Sequence, residues 1–266
     1  MIIKAYAKVN LYLSVLSKRD DGFHDIISLM HNISLYDLLE VEKSDETTFS
    51  SKMNLPWDSS NTLFKTMDIF ERITGIHPKL KIKLEKHIPS PSGLGGGSAD
   101  AAALLWYLCE NEKISDIMEM ARLIGSDVPF FVEGGCAVVE GVGEKIHKLD
   151  PLDLGIDLYI PQVGFPTKQM YALVDEMNLC GKSGDPYELY AGIKTGDRKK
   201  VSSNLYNTFQ VMAEQIHPEI TSQAKAHLKD KEFILMTGSG SAFFGFDLHK
   251  TKGDVHFTAR PRLILD

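Results

Sequence analysis

Two stretches of this chain carry residues whose types and spacing suit chemistry. In residues 89–103, Pro-Ser-Pro-Ser-Gly-Leu-Gly-Gly-Gly-Ser-Ala-Asp-Ala-Ala-Ala, glycine fills four of five consecutive positions. A loop of that composition leaves its backbone N–H groups unobstructed, and a helix starting behind it adds the positive end of its dipole. Such a loop suits an anion, phosphate above all. It is not a Walker A loop, which needs Lys where Ser98 and Ala99 stand, nor a GxGxxG fingerprint, which needs glycine at Ser98. A flexible connector is the plain alternative for a glycine run. The second stretch is the apolar series Ile2, Ala5, Val9, Leu11, Leu13 and Val15, which Lys8 interrupts. An ammonium in an apolar strand needs a carboxylate or a phosphate, unless its stem snorkels to water.

The flanking elements favour a site over a connector. Residues 79–86 alternate, with Leu80, Ile82 and Leu84 on one side, the period of a half-buried strand. Beyond the glycines, Ala99, Ala102, Ala103, Trp106 and Cys109 recur at helical spacing, with Ser98 as N-cap candidate. The expected order is strand, glycine loop, helix. Upstream, a turn at 17–22 reverses the first strand into strands at 26–34 and 38–42. A loop follows over 44–60, then a helix over 61–74 closed by Gly75. Downstream, a helix over 115–124 leads to the turn Gly125-Ser126-Asp127-Val128-Pro129 and an apolar strand, with Pro129 barring a simple helical continuation. A hairpin then crosses Gly141-Val142-Gly143, and a boundary falls near Asp150-Pro151. Further on come a strand at 158–160, a helix at 166–177, a loop region at 178–202 and helices at 205–215 and 219–228. Strands at 233–236 and 242–246 flank a second glycine turn, Thr237-Gly238-Ser239-Gly240-Ser241. Strands and helices mix without regular alternation, which predicts an α+β chain.

Composition narrows the class. The 266 residues suffice for one large domain or two modest ones. No apolar run approaches the ~18 residues of a membrane span. The N-terminus enters a strand pattern at once, without signal or transit features, and three widely spaced cysteines suit neither a disulfide framework nor a zinc site. A cytoplasmic enzyme is expected. The net charge of −7 opposes non-specific nucleic-acid binding, yet leaves a phosphate ligand open, because a pocket needs only a few local donors. Arg198-Lys199-Lys200 reads as a solvated loop.

Ala7-Lys8-Val9-Asn10-Leu11, residues 89–102 and residues 236–246 resemble, in order, the three motifs of the GHMP small-molecule kinases. That family includes galactokinase, homoserine kinase, mevalonate kinase and phosphomevalonate kinase. Asp21-Gly22-Phe23-His24, the segment Gly125 to Phe130 and Gly141-Val142-Gly143-Glu144 bring the chain nearest the branch whose acceptor is a cytidine diphosphate-linked methylerythritol of the non-mevalonate isoprenoid route. The resemblance implies an α+β fold of two domains. Residues 1–150 would form an ATP-binding domain like the second domain of ribosomal protein S5, and residues 151–266 a ferredoxin-like one. It implies ATP and Mg²⁺ as cofactors, a small-molecule alcohol as acceptor, and neither nucleic acid nor membrane as partner. A homoserine or mevalonate type of kinase and a non-catalytic nucleotide sensor are the rivals. A sensor would need neither Lys8 nor Asp127.

By the same resemblance, Asp127 is the general base for the acceptor hydroxyl and Lys8 its partner, although Asp127 read alone is a turn or capping aspartate. Asn10, two residues on and so on the same strand face, donates to the substrate. Pro89 and the backbone of Gly93, Leu94, Gly95, Gly96, Gly97, Ser98 and Ala99 hold the nucleotide phosphates, with the Ser98 hydroxyl toward Mg²⁺. Asn61 and Lys86 lie at the adenine end. Gly238, Ser239 and Gly240 close on the reacting end of the substrate. Phe23 and Tyr171 stack on the cytosine and His24 bonds its edge. Phe23 stands where tyrosine is frequent, and Met30 where an aromatic is expected. The tail after Asp247 receives no role.

Overall fold

The computed structural model describes residues 1–248, together with the backbone of His256–Phe257 and Ile264–Leu265. The tail to which sequence assigns no role thus lies largely outside the described residues. The chain opens with two long strands, β1 (Ile2–Lys18) and β2 (His24–Lys43), the second a single 20-residue strand where the sequence suggests two. β3 (Thr48–Ser51) lies in the stretch expected to be a loop. Helix α1 (Thr62–Thr74) is capped at its start by the Asn61 side chain and closed by Gly75 in the left-handed conformation. Then come β4 (Leu80–Glu85), α2 (Gly96–Glu112), α3 (Ile117–Ile124), α4 (Val128–Glu133) and the hairpin β5 (Cys136–Gly141) and β6 (Lys145–Leu149). The rest runs β7 (Leu154–Tyr159), α5 (Thr167–Glu176), α6 (Pro186–Thr195), α7 (Arg198–Asn204), α8 (Thr208–Ile216), α9 (Pro218–His227), β8 (Phe233–Met236), β9 (Phe243–Phe246), β10 (His256–Phe257) and β11 (Ile264–Leu265). Among the described residues no helix is long and apolar enough to cross a membrane.

Two sheets result. The larger runs β11-β1-β2-β4-β3, with β5 also pairing β2 and β6 pairing β5; the smaller runs β10-β7-β9-β8. Because β1 occupies one edge of β2 along most of its length, β4 and β5 must share the other edge, at 38–43 and 26–31 respectively. The length of β2 makes that possible. Helix α2 is apolar nearly all round, and a helix of that kind must be enclosed. It packs with α1, α3 and α4 over Ile3, Ala5, Leu39, Ile82 and their neighbours. Ala7, Val9 and Leu11 instead join the core against β7, β8 and β9. Between these two parts of β1, its register with β2 steps between Tyr6 and Lys8, and again between Asn10 and Tyr12.

Two sequence expectations fail here for identifiable reasons. The turn at 125–127 does end α3, as Pro129 suggests, but Pro129 then sits in the first turn of a new helix, where no N–H is needed from it, so α4 replaces the expected apolar strand. The expected loop at 178–202 holds α6 and most of α7, each started by an aspartate cap: Asp185 accepts from the amides of Tyr187 and Glu188, and Asp197 from those of Lys199 and Lys200. The basic run 198–200 is therefore the first turn of α7.

Candidate active site

A cleft enclosing about 990 Å³ of open space lies between the glycine loop, β1, the start of α4, α5 and the second glycine turn. Helix α2 begins at Gly96, one turn earlier than the sequence suggests, with Gly95 as its N-cap and Ser98 inside its first turn. Gly95 has φ 75°, and a Cβ there would sit 2.6 Å from the Phe131 ring and 3.2 Å from the Lys8 stem. Gly93 has φ 80°, and a Cβ there would run into the Thr237 carbonyl. Both positions exclude a side chain by conformation and by space. The cradle is narrower than Gly93 to Ala99. The Ala99 amide donates to Gly95 O at 2.9 Å inside the helix, and the Leu94 amide faces Ser92 Oγ at 3.4 Å, with the Leu94 side chain wholly buried. The leading amides of Gly96, Gly97 and Ser98 have no acceptor within α2 and stand at its positive end. Pro89, Gly93 and Gly95 to Ser98 all line the cleft.

Lys8 is buried beneath this loop. Its backbone N–H donates to Leu94 O at 3.0 Å, and its ammonium donates to Gly93 O at 2.8 Å and Asn10 Oδ1 at 2.5 Å. Asp127 Oδ2 stands 3.9 Å away. Burial pushes the Lys8 pKa down, and Asp127 partly opposes that shift. The ammonium thus ties β1 to the loop while facing a carboxylate across the cleft. Asn10 lines the cleft with its side chain already tied to the protein. Its oxygen takes Lys8 and its nitrogen donates to Ser28 Oγ at 2.8 Å, so it orients Lys8. Asp127 occupies the N-cap position of α4 without making a cap hydrogen bond, and its side chain keeps 31% of its surface exposed. A carboxylate left free of the helix it precedes is available to a ligand.

The second glycine turn reaches the cleft through Gly238, Ser239 and Gly240. Sequence reading missed the residues that hold it. Asn207 donates to Met236 O at 2.6 Å and Gly238 O at 3.0 Å while its oxygen caps α8, and Thr167 Oγ1 meets Ser239 Oγ at 3.0 Å. Asn207 was findable, since asparagine before an apolar helix is a cap signal. Thr167 carries no such signal. Tyr171 lines the cleft, packed edge-on against Phe209, and burial followed by the charge of Asp127 raises its pKa.

His24 stacks on Tyr171 at 4.9 Å and 27°, with its Nε2 2.7 Å from Asp175 Oδ1. Phe23 does not join them: it is 63% exposed on the β1–β2 turn, where its amide bonds Asp21. Met30, in the expected aromatic position, lines the cleft. His24, Asp175 and Cys180 bring three donor atoms within 4.8 Å of one another. Both Asp175 oxygens are already engaged, by His24 and by Lys18 at 2.7 Å.

The two residues expected at the adenine end are committed elsewhere. Asn61 caps α1 through Leu63 N at 2.9 Å and donates to Pro56 O at 2.7 Å. Lys86 is buried between Asp37 and Asp100, 2.8 Å from the latter. Burial works against its charge, but Asp100 and Asp37 outweigh burial and hold the Lys86 pKa above its ordinary value. Burial in turn pushes Asp100 up to about 7, against the pull of Lys86. Neither Asn61 nor Lys86 lines the cleft.

A profile described as the GHMP kinases N terminal domain matches residues 61–135. The 4-diphosphocytidyl-2-C-methyl-D-erythritol kinase of Petrotoga mobilis is 40% identical over 252 residues, 92% of this chain and 98% of its own. The enzyme of the same description from Thermotoga maritima is 42% identical over 245 residues, 90% of this chain and 89% of its own. A crystal structure of a 4-(cytidine 5'-diphospho)-2C-methyl-D-erythritol kinase superposes with a TM-score of 0.78 at 32% identity, over 92% of this chain and 90% of that one.

Proposed function

The chain belongs to the 4-diphosphocytidyl-2-C-methyl-D-erythritol kinases of the GHMP kinase family, and we propose that it transfers the terminal phosphoryl group of ATP to the 2-hydroxyl of 4-diphosphocytidyl-2-C-methyl-D-erythritol. The observation that carries this reading is the convergence of Asp127, Lys8 and the leading amides of α2 on one cleft. Phosphoryl transfer asks for little covalent chemistry from the protein and for much positioning and charge stabilisation. The amides of Gly96, Gly97 and Ser98 hold the phosphates. Asp127 accepts the proton of the attacking hydroxyl, and the Lys8 ammonium balances the charge that gathers between nucleophile and phosphoryl group. Gly238 to Gly240 close over the reacting end, and Tyr171 with His24 takes the cytosine.

Magnesium prefers hard oxygen ligands and draws most of them from phosphate and water. The Ser98 hydroxyl, on the leading turn of α2 and in the cleft, fits as its protein ligand. Bound there, the ion would offset phosphate charge. We further place the division between an ATP-binding and an acceptor-side domain at residue 150, and the protein in the cytoplasm. The test is ADP release with four acceptors: the cytidylyl substrate, methylerythritol 4-phosphate, homoserine and mevalonate. Efficient turnover of the first alone is expected. Equal or faster turnover of homoserine or mevalonate overturns the reading.

A further inference from the structure

Helix α5 grips one imidazole from two directions. Tyr171 and Asp175 are one turn apart on it, so both reach the same neighbour. Tyr171 covers the face of the His24 ring, and the Asp175 carboxylate meets its edge at Nε2, 2.7 Å away. The His24 side chain is only 6% exposed, whereas Asp175 keeps 24% of its side chain at the surface, so the contact is half-buried, with the ring on its inner side. On the far side of the carboxylate, Lys18 donates to Oδ2 at 2.7 Å. Lys18 and His24 are direct cross-strand partners on β1 and β2. The hairpin thus presents both groups to Asp175 at once. Hydrogen bonds from His24 and Lys18 hold the Asp175 carboxyl below its ordinary pKa.

An ionised carboxylate has no proton to give. The proton of the His24–Asp175 hydrogen bond must therefore sit on Nε2, which in the neutral ring leaves Nδ1 as a lone-pair acceptor. Cytosine and uracil differ in what they offer at position 4, an amino donor in one and a carbonyl acceptor in the other. A ring fixed as an acceptor pairs with the amino group and leaves a carbonyl facing a lone pair.

We propose that Asp175 is a positioning residue that sets the selectivity of the acceptor slot, by holding the His24 ring with its acceptor nitrogen toward the nucleobase. It touches neither substrate nor nucleotide and acts through His24. The proposal rests on the reading that His24 meets the cytosine. Its consequence is specific: losing Asp175 frees the ring to flip or change tautomer, so the slot loses its preference for cytidine over uridine before it loses affinity for everything.

The experiment compares the cytidylyl substrate with its uridylyl analogue for the wild type, Asp175→Ala and Asp175→Asn. In Asp175→Ala the cytidine-over-uridine ratio of kcat/KM should fall about tenfold, the scale of one lost polar discrimination. ATP affinity, read by calorimetry, should be unchanged. Asp175→Asn keeps an oxygen that can accept from Nε2 and should recover part of the ratio. A purely structural role for Asp175 would lower both substrates alike, and an unchanged ratio overturns the proposal. Nitrogen NMR of the His24 ring supplies a readout without turnover: Nε2–H in the wild type and a mixed population in Asp175→Ala. A ring already mixed in the wild type also overturns it. Should the wild type fail to phosphorylate the cytidylyl substrate at all, the assigned activity falls, while the NMR result still decides what Asp175 does to the ring.

Discussion

Two lysines are buried on either side of the glycine loop, in opposite ways. Lys86 lies between Asp37 and Asp100, two carboxylates closed off from water, and Asp37 also accepts the amides of His87 and Ile88 at 2.5 and 2.8 Å. A Cβ on Gly96 would sit 3.1 Å from the Lys86 ammonium, so this charged knot lies directly under the phosphate cradle. Lys8 has a carbonyl, an amide oxygen and a single carboxylate at 3.9 Å, beyond hydrogen-bond reach. The acids win over burial at Lys86, whereas burial wins at Lys8. A buried charge that the protein answers in full is a strut. One left short of partners is a place where the charge of a ligand belongs.

The sharpest separation comes from the carboxylate facing Lys8. Asp127→Asn keeps the shape and removes the proton acceptor, so kcat should drop about 10²–10⁴-fold while the melting temperature stays put. Turnover within a few-fold of wild type would move the base elsewhere. Lys86→Met should do the reverse. Breaking a buried pair strands the remaining charge, at a cost of about 3–5 kcal/mol in urea unfolding. A loss below about 1 kcal/mol would deny the strut. Lys8→Met should leave unfolding within about 1 kcal/mol of wild type, because an under-compensated ammonium is replaced by an apolar chain, yet turnover should fall about 10²–10³-fold. Equal damage to stability from the two lysine variants would erase the contrast.

The knot also predicts a pH slope. Asp100 holds its proton up to about 7 in the folded protein, against an ordinary value of 3.8. Between those limits the unfolded chain binds fewer protons than the folded one, so this group makes stability fall as pH rises from about 4 to about 7. Asp100→Asn should remove that decline, about 3 kcal/mol, in unfolding curves at pH 4.5 and 7.5. Parallel curves for variant and wild type would refute it. The smallest effect belongs to the cradle. A Cβ on Gly96 would press on Ile88 at 3.0 Å, whereas one on Gly97 would make ordinary contacts with Thr62 at 3.5 Å. Gly97→Ala should therefore fold normally and weaken ATP about tenfold by crowding the amides. Unchanged ATP affinity by calorimetry would mean that the phosphates bind elsewhere.

Much of this was legible in residue types. The strand–glycine–helix order, the closure of α1 at Gly75, the 136–149 hairpin and the second glycine turn all follow from local rules that act within a few residues. What escaped depends on partners distant in sequence. Nothing near Lys86 announces that Asp37 and Asp100 will neutralise it, and nothing near Phe23 says that the turn will face solvent. The helix after Pro129 and those at 186–204 were hidden differently. Proline and aspartate there start helices, and the same residues equally mark turns. Asn10 shows a third case, where the side chain expected to serve the substrate is also tied to Lys8 on its own strand and to Ser28 on the facing one.

The step in β1 between Tyr6 and Lys8 has a meaning for how this chain tolerates change. Strand side chains point to alternate faces, so every position along β1 is addressed by counting from its neighbours. Ile3 and Ala5 count into one core, Ala7 and Val9 into another, and Lys8, between the last two, falls to the cleft. Replacing an apolar residue of this strand by another of similar size alters packing alone. Deleting or inserting one residue between Ala5 and Asn10 shifts the frame, sending the ammonium into the apolar layer and a valine into the cleft. For this segment, length is a stricter constraint than composition.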